Sequence, residues 1–371
     1  MSGIHQFVPM LHVGDAVGRH TVAARSVLRA RGVDSEIYVE LDDPDTVGQT
    51  RPAASYPDAA SPGDLLVYQF ATASDLADWV AGRPEPLVVN YHNVTPPSLF
   101  APWDDGLARH QLRAGQELGR LARRAVLGVA VSELNRTDLV REGFAATAVV
   151  PPLVDLPATN AETADRPART VGARWLAVGR LAPNKAVEDT VAALLAYRQR
   201  FDPDARLDVV GKAALPAYST ALRRYAADLG LADAVHFHGR VDDRQLAEAY
   251  DQADVLVVAS EHEGFCLPVV EAMARGLPVV AFEEGALGEV LGTAGLLLER
   301  KDPMALASAV FRVQTDTELR ARLVAAGRTR PAELGLAKAG ERLADLLVAA
   351  HRGGPWPEGV AVSAAGAVAG R

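Results

Sequence analysis

The sequence predicts two doubly wound α/β domains in tandem, each built on a parallel sheet. The first observation is the length, since 371 residues at about 150 residues per domain favour two domains over one or three. The second is the alternation of short apolar runs with segments of helical period, which is typical of βαβ units. The third is a polar break near the middle of the chain, after which the alternation starts again.

The first domain is predicted for residues 1–156. Most of its apolar runs are flanked by turn residues and followed by a segment of helical period, which indicates parallel strands connected by helices. The predicted strands are Ile4–Val8, Ile37–Val39, Leu65–Tyr68, Leu87–Tyr91, Leu127–Val131 and Ala148–Val150.

A linker is predicted for residues 157–171, which are rich in Pro, Thr and Ala and lack apolar periodicity. The second domain is predicted for residues 172–330. Its predicted strands are Trp175–Val178, Leu207–Val210, Val235–Phe237, Val255–Val258, Pro278–Phe282 and Gly295–Leu298, and its predicted helices include Ala186–Arg200, Pro216–Leu229 and Pro303–Gln314. For two such domains, ligands are expected in a cleft between them, at the carboxyl ends of the strands.

The C-terminal part of the chain is predicted to form one more helix and then a tail. Residues 331–352 carry leucines with helical spacing and predict a terminal helix that closes the structure. Residues 353–371 are mostly Gly, Ala and Val around a Pro-Trp-Pro step. This composition predicts a flexible tail.

Composition and charge exclude several classes of protein. Hydrophobic residues make up 49% and charged residues 23% of the chain, as in ordinary globular proteins. The 38 Lys and Arg against 47 Asp and Glu give a net charge of −9, which disfavours general nucleic-acid binding. The single cysteine, Cys266, cannot form an intramolecular disulfide, and no signal peptide or membrane span is visible. A cytoplasmic location is therefore expected.

The most informative segment is Ser260–Ala274, which directly follows the predicted strand Val255–Val258. Pro268 fits the first position of a helix, where its missing N–H group does not matter. The preceding loop would then present backbone amides together with the positive end of the helix dipole, which is a site for phosphate. These amides belong to Gly264, Phe265, Cys266 and Leu267.

Two carboxylates flank this predicted anion site. Glu263 lies in the loop, and Glu271 is expected in the first helical turn. Acidic side chains beside an anion site are unfavourable unless they accept hydrogen bonds from hydroxyl groups, as an acidic residue does from ribose in dinucleotide-binding folds. The alternative is a glutamate that only stabilises the helix dipole.

A second cluster, Gly179–Lys185, immediately follows the first predicted strand of the second domain. Arg180 offers a rigid bidentate donor and Lys185 a mobile point charge, a combination suited to a diphosphate. Taken alone, the same residues are equally consistent with an ordinary surface turn.

Together these two segments resemble the family 4 retaining glycosyltransferases. The matching residues are Gly-Arg-Leu-x-x-x-Lys at 179–185 and Glu-Gly-Phe-x-Leu-Pro-x-x-Glu-Ala-Met-Ala at 263–274, and their order and separation also agree. The resemblance covers nearly the whole chain. It implies the GT-B fold, which has two Rossmann-like domains, an interdomain cleft and a C-terminal helix that crosses back to the N-terminal domain.

The resemblance implies a role for each matching residue. Arg180 and Lys185 would bind the donor diphosphate, and Glu271 would bind the ribose. Glu263 would bind the transferred sugar, and the amides of Gly264–Leu267 would complete the donor site. The catalytic set implied in this way is Arg180, Lys185, Glu263 and a histidine of the first domain.

That histidine is His92, in the segment Asn90–Pro97 that follows a predicted strand. The resemblance implies that His92 orients a sugar hydroxyl or the backbone near the donor sugar, whereas the alternative is a histidine that caps a loop. The first loop, His12–His20, departs from the Gly-Gly pair that is common in the family. Gly18 or Gly14 is therefore expected to approach the phosphate.

The resemblance implies a metal-independent, retaining transfer of a sugar from a nucleoside diphosphate sugar to an acceptor hydroxyl, with no further cofactor. The acceptor is expected to be a small molecule, a glycan or a lipid-linked compound. The alternatives are a GT-B phosphorylase, a sugar-nucleotide epimerase, and a non-catalytic subunit that binds nucleotide sugars.

Other motifs are interpreted as structural. The steps Asp43–Asp45 and Asp202–Asp204 each have a central proline and read as turns rather than cation sites, and no metal site is predicted. Gly211-Lys212 lacks the rest of a phosphate-binding loop. The segment Leu107–Ala125 carries four arginines near one helical face and allows peripheral contact with an anionic membrane, but a solvated surface helix is the commoner case.

Overall fold

The structure, a computed structural model, describes residues 2–12, 14–156, 169 and 171–363, and the chain forms two compact units. Unit 1 contains the described residues up to Pro97, residues Gly106–Asp155 and the described residues from Gly335 onward. Unit 2 contains Ser98–Asp105 and the described residues from 156 to Leu334. Most of the predicted linker, residues 157–168 and 170, lies outside the described residues.

The strands in chain order are β1 Ile4–Met10, β2 Ile37–Leu41, β3 Arg51–Pro52, β4 Leu65–Phe70, β5 Leu87–Tyr91, β6 Ala125–Ala130, β7 Ala146–Val149, β8 Arg174–Val178, β9 Arg206–Val210, β10 Val235–Gly239, β11 Val255–Val258, β12 Val279–Phe282, β13 Gly295–Leu298 and β14 Ala361–Val362. The helices are α1 Ala16–Ala30, α2 Tyr56–Ala59, α3 Asp75–Ala81, α4 Pro97–Phe100, α5 Asp105–Ala122, α6 Glu133–Arg141, α7 Val187–Arg200, α8 Pro216–Asp228, α9 Asp243–Gln252, α10 Leu267–Ala274, α11 Leu287–Leu291, α12 Pro303–Thr315, α13 Thr317–Glu333 and α14 Ala339–Arg352.

Unit 1 is built on one sheet with the strand order β14-β7-β6-β5-β4-β1-β2-β3, in which every pair except β14 with β7 is parallel. The central strands β4 and β5 are buried on both faces, as is typical of parallel sheets, whereas the end strands β3 and β14 are exposed. One face carries a cluster rich in aromatic rings, including Phe7, Tyr38 and Tyr56. The other face packs against leucines of α1 and α14.

The C-terminal helix belongs to unit 1, and it is shorter than the sequence predicts. The predicted helix 331–352 is interrupted, because α13 continues to Glu333 and α14 begins only at Ala339. Between them, Gly335 has a φ of 70°, a left-handed conformation that ends helices. Helix α14 then buries Leu343 and Leu347 in the unit 1 core.

Part of the segment predicted as a flexible tail is ordered. Ala361 and Val362 form β14, which pairs antiparallel with Thr147 and Ala146 of β7. Hydrogen bonding to the open edge of β7 satisfies backbone groups that would otherwise remain unpaired, a gain that composition alone does not reveal. Residues 364–371 of the predicted tail lie outside the described residues.

Unit 2 is built on a sheet with the order β10-β9-β8-β11-β12-β13, in which all pairs are parallel. The predicted α/β class with two parallel sheets is confirmed. Three helices of this unit, α9, α11 and α13, were not predicted. The signal for α9 was present as a capping box, in which Asp242 and Gln245 satisfy each other's backbone amides.

Glycines end three adjacent strands of unit 2 and allow a close backbone approach. The amide of Gly179, after β8, donates to Val210 O at 2.9 Å, and that of Gly211, after β9, donates to Gly239 O at 2.9 Å. A Cβ added at Gly211 would lie 1.8 Å from Gly179 O. The Gly211-Lys212 pair therefore does not form a phosphate-binding loop. It packs against the loop after β8 and holds that loop in position.

The close backbone approach at Gly211 predicts that two glycine substitutions lower the free energy of unfolding by different amounts. Gly211→Ala should lower the free energy of unfolding by roughly 3 kcal/mol, because left-handed strain adds to a backbone clash. Gly230→Ala is the matched control: its φ is also positive, at 72°, but nothing lies within 4 Å of the added Cβ, so a loss of about 1 kcal/mol is expected. Thermal unfolding measures both, and equal shifts in Tm would contradict the close approach.

Candidate active site

The loops that carry the predicted motifs meet at the point where the strand order of unit 2 reverses. From the central pair of strands, β8 is followed by β9 and β10 on one side, whereas β11 is followed by β12 and β13 on the other. In open α/β sheets, ligands bind outside the carboxyl ends of the strands at such a switch point. Lys185 follows β8 and Glu263 follows β11, so both lie at this position.

The loop after β8 is held in shape by backbone contacts. Leu181 N–H donates to Lys212 O at 2.9 Å, and Glu261 N–H donates to Asn184 O at 2.8 Å, which ties this loop to the loop after β11. Residues Pro183–Lys185 form one 3₁₀ turn, and α7 starts after Ala186, whose φ of 43° is left-handed. Arg180 is exposed on this loop.

Lys185 and Glu263 form a shielded ion pair. Lys185 Nζ lies 2.6 Å from Glu263 Oε1, and the two side chains are only 18% and 7% exposed. Ser260 Oγ donates to the same carboxylate oxygen at 2.7 Å. Burial disfavours the charged ammonium, but the adjacent Glu263 carboxylate outweighs it, so the pKa of Lys185 is raised. The lysine therefore keeps its charge, with two N–H donors left for a ligand.

Glu263 is also supported from the loop after β12. A Cβ added at Gly285, where φ is 60°, would lie 2.5 Å from Glu263 O. The neighbouring Ala286 N–H donates to Glu263 O at 2.9 Å. Neither Gly285 nor Ser260 was predicted as a supporting residue, because in the sequence the first resembles a turn glycine and the second is only one position of the motif.

The amides predicted to bind phosphate lie in the loop Gly264–Cys266 and at the start of α10. The residues concerned are buried, and the N–H groups of Gly264 and Phe265 have no partner in the part of the chain that the structure describes. Helix α10 begins at Leu267, so Pro268 is its second residue rather than the predicted first. The second N–H group of a helix is equally unpaired, which is why proline is tolerated there.

Cys266 is the N-cap residue of α10 and has an unusual backbone conformation. Its φ of 69° and ψ of 73° are left-handed, a conformation that costs an L-residue roughly 1–2 kcal/mol. The side chain is buried, and burial raises the pKa of the thiol. The thiol is therefore a packed group rather than a nucleophile at neutral pH.

Glu271 is the fifth residue of α10 and not in its first turn as predicted. Its distance from the helix start weakens the alternative that it only stabilises the dipole, since that effect fades within one turn. Glu271 Oε2 accepts a hydrogen bond of 2.8 Å from the hydroxyl of Tyr250, a buried residue of α9. Tyr250 was not predicted, because no motif in the sequence marks it.

His92 of unit 1 follows β5, and several contacts fix its position. Its backbone N–H donates to Phe70 O at 2.8 Å, and its Nε2 lies 2.7 Å from Gln69 Oε1. Burial and the nearby ring of His20 hold the pKa of His92 well below its ordinary value. The next residue, Asn93, has a left-handed φ of 88°, and its side-chain oxygen accepts a hydrogen bond from Asn135.

The backbone amide of Gly18, which was predicted to approach the phosphate, is already hydrogen-bonded. It lies within α1, and its N–H donates to Asp15 Oδ1 at 2.8 Å as part of the helix N-cap. An amide already engaged in capping cannot bind phosphate without breaking the cap. Gly14 is outside the helix, in the loop before it.

Two arginines of the basic helix α5 form ion pairs within unit 1. Arg113 pairs with Asp75 and Glu117, and Arg120 pairs with Asp78 at 2.8 Å. These contacts favour the surface-helix interpretation over a membrane-binding face. In the described part of the chain, no helix has the length and apolar character needed to cross a bilayer.

Neither Asp-Pro-Asp step has the geometry of a cation site. Asp43 accepts from Asp45 N–H at 3.0 Å, and Asp202 accepts from Asp204 N–H at 3.1 Å, which are turn contacts. Over residues 2–12, 14–156, 169 and 171–363, no group of three or more His, Cys, Asp or Glu side chains is placed to hold a metal ion.

Comparisons with known proteins show which family part of the chain resembles. Residues 172–316 match the family model described as "Glycosyl transferases group 1". A D-inositol 3-phosphate glycosyltransferase from Geodermatophilus obscurus is 36% identical over 217 residues, which cover 55% of this chain and 47% of that protein. The chain spans about half the length of the first curated relatives that it matches.

Solved structures match almost the whole chain. Sucrose-phosphate synthase (tll1590) from Thermosynechococcus elongatus superposes with a TM-score of 0.72 at 22% identity, covering 94% of this chain and all of that one. Alr3699/HepE from Anabaena, in a complex with UDP-glucose, gives a TM-score of 0.71 at 20% identity and covers 93% and 99%. At these identities the likeness establishes the fold. The chain thus has the GT-B fold, and its residues 172–316 match the model of the glycosyl transferase group 1 family.

Proposed function

We propose that this chain is a retaining glycosyltransferase, which moves a sugar from a nucleoside diphosphate sugar to an acceptor hydroxyl without a metal ion. The observation that carries the proposal is the Lys185–Glu263 pair at the switch point of unit 2. It places a permanent cation beside unpaired amides at the start of a helix, where a diphosphate leaving group fits. A location in a reducing compartment such as the cytoplasm is part of the proposal and rests on the buried single cysteine.

Different residues of unit 2 bind different parts of the donor. Arg180 and the free N–H donors of Lys185 bind the diphosphate, together with the amides of Gly264 and Phe265. Glu271, oriented by Tyr250, accepts hydrogen bonds from the ribose hydroxyls. Glu263 remains bonded to Lys185 and offers its other oxygen to the transferred sugar.

Retention follows from front-face substitution in this proposal. The bond from the anomeric carbon to the diphosphate breaks, and its electron pair leaves with the diphosphate. The acceptor oxygen forms its new bond on the same face, and its proton passes to the departing phosphate oxygen. The protein contributes mainly positioning and fixed charge, so the positive groups count most when the leaving group gains charge.

The donor base and sugar are proposed by analogy with the structural neighbour that binds UDP-glucose, which makes UDP-glucose the first donor to test. Glycan, lipid-linked and small-molecule acceptors are all consistent with the site. Release of UDP that depends on an acceptor supports transfer. Dependence on orthophosphate would instead indicate a phosphorylase, and conversion of one UDP-sugar into another would indicate an epimerase.

Removal of the lysine should act on the chemical step. Lys185→Ala should lower kcat by about 10²–10³, because the leaving diphosphate loses a preorganised cation. Lys338→Ala is the matched control, since Lys338 is an exposed lysine of unit 1 and its loss should leave kcat unchanged. Steady-state kinetics with the active donor measure both variants.

The ion pair also predicts that Tm and turnover respond differently to a second substitution. Lys185→Ala leaves the Glu263 carboxylate buried without its cation, which costs about 3–5 kcal/mol. The double variant Lys185→Ala/Glu263→Gln removes that charge, so its Tm should recover while its turnover stays low. A double variant with the turnover of the wild-type protein would exclude Lys185 from the reaction.

The ribose contact should affect donor binding rather than turnover. Tyr250→Phe removes the hydroxyl that orients Glu271, so KM for the donor should rise about fivefold, the effect of losing roughly 1 kcal/mol, with little change in kcat. Tyr225→Phe is the control, because Tyr225 is 38% exposed. A lowered kcat at unchanged KM in Tyr250→Phe would contradict the assignment.

Metal independence is tested by chelation. Transfer should continue at full rate in excess EDTA, since the proposal assigns neutralisation of the diphosphate to Arg180, Lys185 and amides. A strict requirement for Mg²⁺ or Mn²⁺, restored by titration, would contradict the proposal.

A further inference from the structure

A row of buried amide side chains crosses the centre of the unit 1 sheet beneath His92. Gln6, Gln69 and Asn90 are each fully buried, and they lie on the neighbouring strands β1, β4 and β5. A buried amide is unfavourable unless it is hydrogen-bonded. Apolar residues would fill such a sheet at lower cost, so the row calls for an explanation other than packing.

The orientations of Gln6 and Gln69 are set from the Thr21 end of the row. At the other end, Asn90 Nδ2 contacts both Gln69 Oε1 at 3.0 Å and His20 Nε2 at 2.6 Å. The carbonyl of Thr21 can only accept, so Gln6 must turn its Nε2 toward it, and these atoms are 3.0 Å apart. Gln6 Oε1 then faces the next strand and accepts from Gln69 Nε2 at 2.8 Å. Gln69 is thereby left with its oxygen pointing the other way, toward Asn90 and the ring of His92.

This oxygen determines which ring nitrogen of His92 carries the proton. Gln69 Oε1 lies 2.7 Å from His92 Nε2, and a carbonyl oxygen cannot donate, so Nε2 must carry the hydrogen. Burial, together with the adjacent His20 ring, keeps the pKa of His92 well below its usual value, so the ring has one proton only. Nδ1 is therefore unprotonated, and it has no partner in the part of the chain described.

The ring is also prevented from turning away. His20 meets it edge-on, with ring centroids 4.9 Å apart. Burial lowers the pKa of His20 to about 4, so no second charge disturbs the pair at neutral pH. Leu153 N–H donates to His20 Nδ1 at 3.1 Å and fixes that ring in turn. The titratable ring next to His92 is thus neutral and immobilised.

We propose that Gln69 is a positioning residue that selects the Nε2–H tautomer of His92 and so makes Nδ1 a hydrogen-bond acceptor for a hydroxyl of the donor sugar. A bare imidazole nitrogen accepts from hydroxyl groups and repels phosphate or carbonyl oxygens. The assignment of the hydroxyl rests on the proposed function. The assignment of the tautomer rests only on contacts within unit 1, so an experiment can test it separately from the assignment of the hydroxyl.

The tautomer is tested directly by NMR of the full chain labelled with ¹⁵N-histidine at neutral pH. His92→Asn identifies the His92 resonances by their loss. The wild-type spectrum should show Nε2 protonated and Nδ1 bare, whereas Gln69→Met, which has no acceptor oxygen, should show a mixture of tautomers. A protonated Nδ1 in the wild-type protein would overturn the proposal, whether or not any transfer activity is found.

Kinetics separate positioning from a purely structural role. With UDP-glucose as the donor, Gln69→Met should lose about tenfold in kcat/KM, because the reacting groups are less well oriented. Gln111→Met, which replaces a buried glutamine of α5 outside the row, is the matched control and should retain kcat/KM. Equal losses in both variants would indicate general destabilisation and overturn the proposal.

The conservative variant Gln69→Glu keeps an oxygen at the same place and adds a charge. A carboxylate beside Nε2–H favours the imidazolium form of His92 and raises its pKa. Protonation removes the Nδ1 acceptor, so the acid limb of the kcat/KM profile should move to higher pH in this variant, with activity near neutral pH partly restored relative to Gln69→Met. An unchanged acid limb would contradict the role of Gln69. This readout also remains available if Gln69→Met does not fold.

The hydroxyl is tested with monodeoxy analogues of UDP-glucose. One analogue should lose about tenfold in kcat/KM with the wild-type protein, and that loss should largely disappear in Gln69→Met, where Nδ1 is no longer held as an acceptor. A loss of the same size in both proteins would overturn the assignment of the hydroxyl to Nδ1.

Discussion

The site of unit 2 depends on one shielded ion pair between residues that are far apart in sequence. Lys185 and Glu263 meet because β8 and β11 are neighbours in the sheet, and their loops leave the same edge. A charge with so little exposure is costly when unpaired. Each member therefore holds the other in place before any ligand arrives, which is the preorganisation that electrostatic catalysis requires.

Backbone geometry makes this pair possible. Gly179 and Gly211 bring two strand ends so close that no Cβ fits at Gly211, and Gly285 brings the loop after β12 against the backbone of Glu263. Cys266 occupies a left-handed position at the start of α10 although it is not glycine. Strain of this kind persists only where the surrounding structure holds it in place.

The sequence predicted the fold class and the loops of the site, because strand period and helix-start signals are local. It could not predict the partners within the site. The Lys185–Glu263 contact spans 78 positions, and the support from Tyr250 comes from a helix that carries no motif. Gln69 could have been predicted as a functional candidate, since a polar residue inside a buried strand is unusual. The direction of its amide could not, because it depends on Gln6 and on a backbone carbonyl.

The measurement that tests the account most directly is the binding of nucleoside diphosphates to the wild-type protein and to Lys185→Ala, followed by thermal shift. At a concentration about 100 times its Kd, a ligand of the native state adds about 2.7 kcal/mol of stability. At least one of UDP, GDP, ADP and dTDP should stabilise the wild-type protein, and the stabilisation should be much smaller in Lys185→Ala. Equal stabilisation of both proteins, or none of the wild-type protein by any of the four, would contradict this prediction.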